Sequence, residues 1–154
     1  KITGNRKLKV ILEPGRSLVG KAGALLTKLE YIKEGSSKNF AIVDAAMNDL
    51  MRPSLYDAYH GIINLNAQQF EQKEYDIVGP VCETGDFFGK NRLLSIKNDD
   101  LLAVLDVGAY GMSMSSNYNS RPRAVELLVD NDTVHVIRKR ETFDHLISGE
   151  SILP

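Results

Sequence analysis

Ala24-Leu25-Leu26-Thr27-Lys28-Leu29-Glu30-Tyr31-Ile32-Lys33 alternates along its length. Leu25, Thr27, Leu29 and Tyr31 fall on one face, and Lys28 and Glu30 on the other. A period of two marks a half-exposed strand. The same kind of segment recurs along the chain. Strands are expected at Phe40 to Val43, Gly61 to Leu65, Tyr75 to Val81, Leu93 to Ile96, Leu101 to Val107, Ala124 to Val129 and Thr133 to Lys139. Gly35-Ser36-Ser37 reads as a turn, and Asp130-Asn131-Asp132 as the tip of a hairpin. Many short strands joined by polar turns predict a mainly β fold, a mostly antiparallel sandwich or barrel.

Other segments interrupt this pattern. Leu8 to Leu12, ended by Pro14-Gly15, reads as a short buried strand. Ser17 to Gly23 is rich in small residues and predicts one helical turn or irregular chain. Asp44 is placed to cap a helix over Ala45 to Met51 that Pro53 would stop. Thr84 is placed to cap a short helix carrying Phe87 and Phe88, and Thr142 a closing helical turn through Phe143 and Leu146.

Composition excludes several classes. The 154 residues fit one domain, or one domain and a piece of another. A formal net charge of -1 points to neither nucleic acid nor an anionic membrane. The basic run Arg138-Lys139-Arg140 reads as a solvated face. Cys82 is the sole cysteine, so no intramolecular disulfide forms, which suits a reducing compartment. No apolar stretch approaches the roughly 18 residues that span a bilayer. His60, His135 and His145 lack a zinc-ligand spacing, so no metal site is expected. There is no Walker or Rossmann glycine loop and no Gly-x-Ser-x-Gly elbow. The chain opens on Lys1 and runs almost at once into an apolar segment, which reads as a start inside a longer protein.

Five places can carry chemistry. Glu13-Pro14-Gly15-Arg16 sends a carboxylate and a guanidinium out of a strand end, with a glycine that admits a ligand to the backbone. Arginine suits bidentate capture of carboxylate or phosphate, although a surface ion pair on a turn explains the same residues. Cys82-Glu83-Thr84-Gly85-Asp86 would set a thiol near a helix N-terminus, where general acid work is open to it. A buried structural cysteine is the alternative. Arg52 and Tyr56, four apart around Pro53, can face one pocket and hold an anion, or can be a solvated arginine and a half-buried tyrosine. Gly108-Ala109-Tyr110-Gly111 puts a tyrosine between two glycines at a strand end, either a functional loop or an ordinary bend. Ser120-Arg121-Pro122-Arg123 offers positive charge, and reads more simply as the solvated start of a strand.

The order and spacing of these motifs say more than each alone. Glu13 to Ser17, Asp44 to Tyr56, Gly79-Pro80-Val81-Cys82-Glu83-Thr84-Gly85-Asp86, Gly108 to Gly111 and Asn117 to Arg123 closely resemble the C-terminal part of the diaminopimelate decarboxylase family. These are pyridoxal-phosphate enzymes of the alanine racemase and ornithine decarboxylase fold group. The resemblance covers nearly the whole chain. It implies that residues 1–22 are the end of a (β/α)8 cofactor-binding barrel, with its last strand and exit at 7–16, and that 23–154 are the C-terminal β-domain. It also implies a cytoplasmic homodimer with active sites shared across the interface.

Residue roles follow from the same resemblance. Glu13 would face the pyridine nitrogen, and Gly15 would lie near the cofactor phosphate. Arg16, Arg52 and Tyr56 would hold the distal carboxylate of the substrate, while Tyr110 would approach both phosphate and substrate. Arg16 and Tyr110 thus serve cofactor and substrate alike. Cys82 and Glu83 would enter the partner subunit's site, Cys82 as proton donor to the α-carbon and Glu83 as acceptor for the distal ammonium. Ornithine decarboxylases typically carry aspartate where Glu83 stands. Thr84 stands where serine is also common. The activity implied is conversion of meso-2,6-diaminopimelate to L-lysine and carbon dioxide, the last step of lysine biosynthesis. Alternatives are a same-fold decarboxylase acting on carboxynorspermidine, ornithine or arginine, and a non-catalytic regulatory relative. No lysine here matches the family's cofactor-binding lysine, so this chain alone is expected to be inactive.

Overall fold

The computed structural model describes residues 7–66 and 71–153. Among them, β1 (Leu25–Lys33), β2 (Asn39–Val43), β3 (Ile62–Asn64), β4 (Lys73–Val78), β5 (Phe87–Leu94) and β6 (Leu101–Val104) form one sheet in the order β3-β6-β1-β2-β4-β5. Neighbours run antiparallel except β2 and β4, which are parallel. β7 (Glu126–Asp130) and β8 (Thr133–Arg138) make a separate hairpin. The mainly β, largely antiparallel expectation is met.

The six-stranded sheet curls until its edges meet. Asn64 Nδ2, on β3, donates to Ser95 O, just past β5, at 2.8 Å. The inside of this nearly closed sheet is the core, with Leu29, Val43, Leu50, Ile77, Phe88, Leu102 and Val104 almost wholly buried. Curling removes free edges that would otherwise leave unpaired backbone groups in the open. The seam is held by Asp100, which is 0% exposed. Its carboxylate accepts hydrogen bonds from Asn64 Nδ2 at 2.8 Å, Asn66 Nδ2 at 2.5 Å and Lys97 N at 3.0 Å.

Alternation in β1 holds for Thr27 and Leu29, which are buried, but not for Tyr31. A register shift between Leu29 and Tyr31 against β2 turns Tyr31 outward and half-buries Ile32. A bulge adds one residue and so exchanges the faces beyond it.

Three expectations fail. Residues 7–14 have no regular structure, and Leu8, Val10, Ile11 and Leu12 are exposed. Among the described residues no strand runs beside them, and an apolar strand without a sheet neighbour has neither ladder nor core. No helix spans Ala45 to Met51. Asp44 Oδ1 is taken by Thr27 Oγ1 at 2.6 Å and Lys28 N at 2.8 Å, so it caps nothing. The helix α2 comes later, over Arg52–Tyr56, with Pro53 in its first turn, where a missing N–H is harmless. Pro53 therefore opens a helix instead of ending one. Thr84 caps no helix either, since Phe87 and Phe88 lie in β5 and pair toward β4.

Elsewhere the local rules hold. A short α1 (Arg16–Val19) leads into a tight turn over Gly20–Ala22, and α3 (Phe143–Ile147) starts with a capping box between Thr142 and His145. Asn131 takes φ 51 at the hairpin tip, as such turns require.

Asp100→Ala removes the shared acceptor of three part-buried hydrogen bonds. It is expected to lower the unfolding free energy by about 2–4 kcal/mol, read from the urea midpoint. An unchanged midpoint would remove the seam from the account of stability.

Candidate functional site

The Cys82 turn is built on a buried carboxylate. Asp86 is 3% exposed. Its Oδ2 accepts from Val81 N at 2.7 Å and its Oδ1 from Met47 N at 2.7 Å. Glu83 N donates to Val81 O at 2.8 Å, and Asp86 N to Glu83 O at 3.0 Å. Cys82 and Glu83 stand exposed at the crest of this turn. Thr84 Oγ1 donates to Glu83 Oε1 at 3.3 Å. The helix expected to favour the thiolate does not form, so the acid work assigned to Cys82 must rest on placement.

α2 supplies the second part. Arg52 starts it and Tyr56 ends it, with Asp57 in the left-handed region just beyond. The Arg52 guanidinium lies 5.7 Å from the Tyr56 ring centre and 5.4 Å from that of Tyr110. Arg52, Tyr56, Tyr110 and Met114 line one shallow, open hollow. Among the described residues no carboxylate pairs with Arg52. A guanidinium framed by two phenols, with its charge unmet, suits a carboxylate or phosphate.

Tyr110 is held at φ 61. That is unusual for a bulky residue and costs about 1–2 kcal/mol. The surrounding glycines make it possible. A Cβ on Gly108 would fall 2.0 Å from Val19 O, and one on Gly111 2.4 Å from Val107 O. Gly108 N donates to Gly20 O and Val107 N to Gly23 O, each at 3.0 Å. The Tyr110 loop is thereby fastened to the segment after α1.

Arg16 begins α1, but Glu13 and Gly15 lie in the exposed irregular stretch before it. The described structure does not bring Glu13, Gly15 or Arg16 into the hollow of Arg52, Tyr56 and Tyr110.

Arg121 has a part that a solvated strand start does not describe. Its Nε donates to Asn48 Oδ1 at 2.9 Å and its Nη2 to Asp44 O at 2.6 Å. Asn48 is fully buried, and Ser116 N donates to Asn48 O at 2.9 Å. Arg121 therefore clamps the 44–49 loop to the loop after Tyr110. Arg123 N and Asn117 Nδ2 both donate to Glu141 Oε2, at 2.9 and 2.6 Å, holding the Glu141 carboxyl below its ordinary range. Sequence pattern alone gives Met114, Ser54 and Asn48 no role, and gives Arg121 a positive charge or a solvated strand start but not the clamp. The one signal present was their membership of the loops already singled out.

Residues 18–108 match the family model described as the C-terminal sheet domain of pyridoxal-dependent decarboxylases. Diaminopimelate decarboxylase of Neisseria meningitidis serogroup A is 56% identical over 97% of this chain and 37% of its own length. The Helicobacter pylori diaminopimelate decarboxylase structure, complexed with L-lysine, is 47% identical with a TM-score of 0.84, over 90% of this chain and 34% of that one. A diaminopimelate decarboxylase from M. jannaschii with L-lysine gives a TM-score of 0.87 at 47% identity, over 92% and 32%. The chain thus spans about a third of the length of these relatives.

Burial pushes the Asp86 carboxyl above 3.8, and the N–H bonds from Val81 and Met47 pull it back only in part. A raised folded-state value means that folding takes up a proton. The resulting stability is present below 3.8 and is lost as pH rises through the raised value. The unfolding free energy of the parent, measured against Asp86→Asn, is expected to fall as pH rises from below 3.8 toward neutrality. A pH-independent difference in urea titrations would contradict it.

Proposed function

The chain belongs to the pyridoxal-dependent decarboxylase family as its C-terminal sheet domain, and from that premise we propose that the longer protein converts meso-2,6-diaminopimelate to L-lysine and carbon dioxide, the last step of lysine biosynthesis. The observation that carries this reading is that the chain displays two charges of opposite sign, neither in an ion pair among the described residues. Arg52 is an unmet guanidinium between two tyrosines, and Glu83 is an exposed carboxylate on the adjoining turn. Diaminopimelate has an amino-acid group at each end, so the end that does not react needs a cation for its carboxylate and an anion for its ammonium. An ornithine-type substrate has no distal carboxylate and leaves Arg52 without a partner. The names and L-lysine complexes of the relatives support the same substrate class.

Each residue then has a task. Arg52 and Tyr56, with Arg16, hold the distal carboxylate. Glu83 accepts the distal ammonium. The unpaired guanidinium and phenol of Arg52 and Tyr110 are a donor set that fits a phosphorylated cofactor as well as a substrate carboxylate, and Tyr110 touches both. Pyridoxal phosphate, when bound, supplies the electron sink that makes loss of carbon dioxide feasible. Glu13 would sit at its ring nitrogen and Gly15 near its phosphate once the strand before them is paired inside the longer protein. Cys82 holds a proton at Sγ and gives it to the carbon that lost its carboxylate, then regains one from solvent.

Cys82 and Glu83 do not line the hollow of Arg52, Tyr56, Tyr110 and Met114. That separation supports a homodimer in which the turn serves the partner subunit's site. Among the described residues no helix is long and apolar enough to cross a membrane. With the lone, exposed thiol of Cys82, we place the enzyme in the reducing cytoplasm. The 154 residues alone are expected to be inactive, because none of their lysines stands in the context of a cofactor lysine.

In the full-length enzyme, Cys82→Ala is expected to lower kcat on meso-diaminopimelate by roughly 10²–10⁴-fold, with a smaller change in KM. Parent turnover by this variant would end the proton-donor assignment. Arg52→Leu is expected to raise KM by roughly ten- to a hundredfold through loss of a charged hydrogen bond. Faster turnover of ornithine, arginine or carboxynorspermidine by the parent would overturn the substrate.

A further inference from the structure

One buried carboxylate, that of Asp86, is bonded to the Cys82 turn and to the loop that leads into α2. Asp86 Oδ2 receives Val81 N, the residue before Cys82, at 2.7 Å. The main-chain N–H of Asp86 is bonded to Glu83 O at 3.0 Å, and Gly79 N donates to Asp86 O at 3.1 Å. Cys82 and Glu83 are the residues between these anchors. The other carboxylate oxygen, Oδ1, receives Met47 N at 2.7 Å. Met47 lies in the loop that continues through the fully buried Leu50 into α2, which carries Arg52 and Tyr56.

A second link runs in parallel. Ser54, inside α2, donates its hydroxyl to Gly85 O in the Cys82 turn. The packing leaves no slack at this junction. A Cβ on Gly79 would lie 2.4 Å from Asp86 Oδ2 and 2.7 Å from Ala45 O.

We propose that Asp86 is a positioning residue that sets Cys82 and Glu83 relative to the Arg52–Tyr56 helix, with Ser54 completing the brace. The inference rests on the decarboxylase reading above. If the Cys82 turn serves the partner's site while Arg52 and Tyr56 serve their own, the brace ties the two sites of the dimer together. Proton delivery to carbon depends on placement, and an error of about 1 Å can cost about a hundredfold.

The test is a double-mutant cycle in the full-length enzyme with meso-diaminopimelate. Asp86→Asn is expected to lower kcat by roughly ten- to a hundredfold in the parent. In the Cys82→Ala background it is expected to lower kcat by less than about threefold, since there is no thiol left to misplace. A role in folding alone would multiply into both backgrounds equally, and that result overturns the proposal. Should Asp86→Asn fail to fold, Ser54→Ala carries the same cycle, with an expected loss of roughly three- to tenfold in the parent and almost none beside Cys82→Ala. No loss in the parent, or equal losses in both backgrounds, again overturns it. Loss on Cys82→Ala with Asp86→Asn at the parent rate defeats only the positioning role. Parent turnover by Cys82→Ala defeats the proton-donor reading and this proposal with it.

Discussion

The closure of the six-stranded sheet at Asp100 is the contact on which the other parts depend. An open sheet of this size has two bare edges and one half-covered face. Here the Asn64 amide bridges Ser95 O and the Asp100 carboxylate across the seam, each at 2.8 Å. Leu29 N also donates to Asp100 O at 2.8 Å, so β1 is fixed at the same point. Closure turns Leu29, Ile77, Phe88 and Leu102 into one shared core. It also brings the loops after β2, β4 and β6 to positions where they can meet.

Those loops are shaped by carboxylates more than by helices. Asp44 takes up Thr27 and Lys28, Asp86 takes up Val81 and Met47, and Asp76 takes up Asn91 N and Lys38 Nζ, with bonds between 2.6 and 2.8 Å. A carboxylate can accept from several N–H donors at once, and it satisfies main-chain groups that a ladder leaves over. Desolvation is the cost, visible in the raised values of Asp49 and Asp86. The return is rigidity where the chain has little regular structure.

The hollow of Arg52, Tyr56 and Tyr110 shows what that rigidity serves. Tyr110 is kept at φ 61 by a loop fastened through Gly108 to Gly20 and through Arg121 to Asn48 and Asp44. Backbone strain of this kind persists only where the surroundings over-determine it. Arg52, by contrast, keeps its charge unmet among the described residues, which leaves it free for a ligand.

Local pattern was enough for most of the strands. The alternation of β1 as far as Leu29, the turn at Asn131 and the cap at Thr142 rest on short-range periodicity and turn chemistry, so they were legible by themselves. The motif set around Arg52, Tyr56, Cys82, Glu83 and Tyr110 was legible as well, because its order and spacing resemble one family. Other features required the tertiary structure. Asp44 read as a helix cap because nothing local announces that Thr27 will claim it. Thr84 read as a cap because the strand that absorbs Phe87 and Phe88 is decided by pairing with β4. Leu8 to Leu12 read as a buried strand, yet a strand is buried only if a neighbour is there to pair with it. Asp86 was visible as a letter in a motif, but not as the anchor that joins Met47 to Val81. Periodicity reports what a segment can bury or turn toward. Which donor meets which carboxylate depends on contacts between residues far apart in the chain, and only the closed sheet sets those.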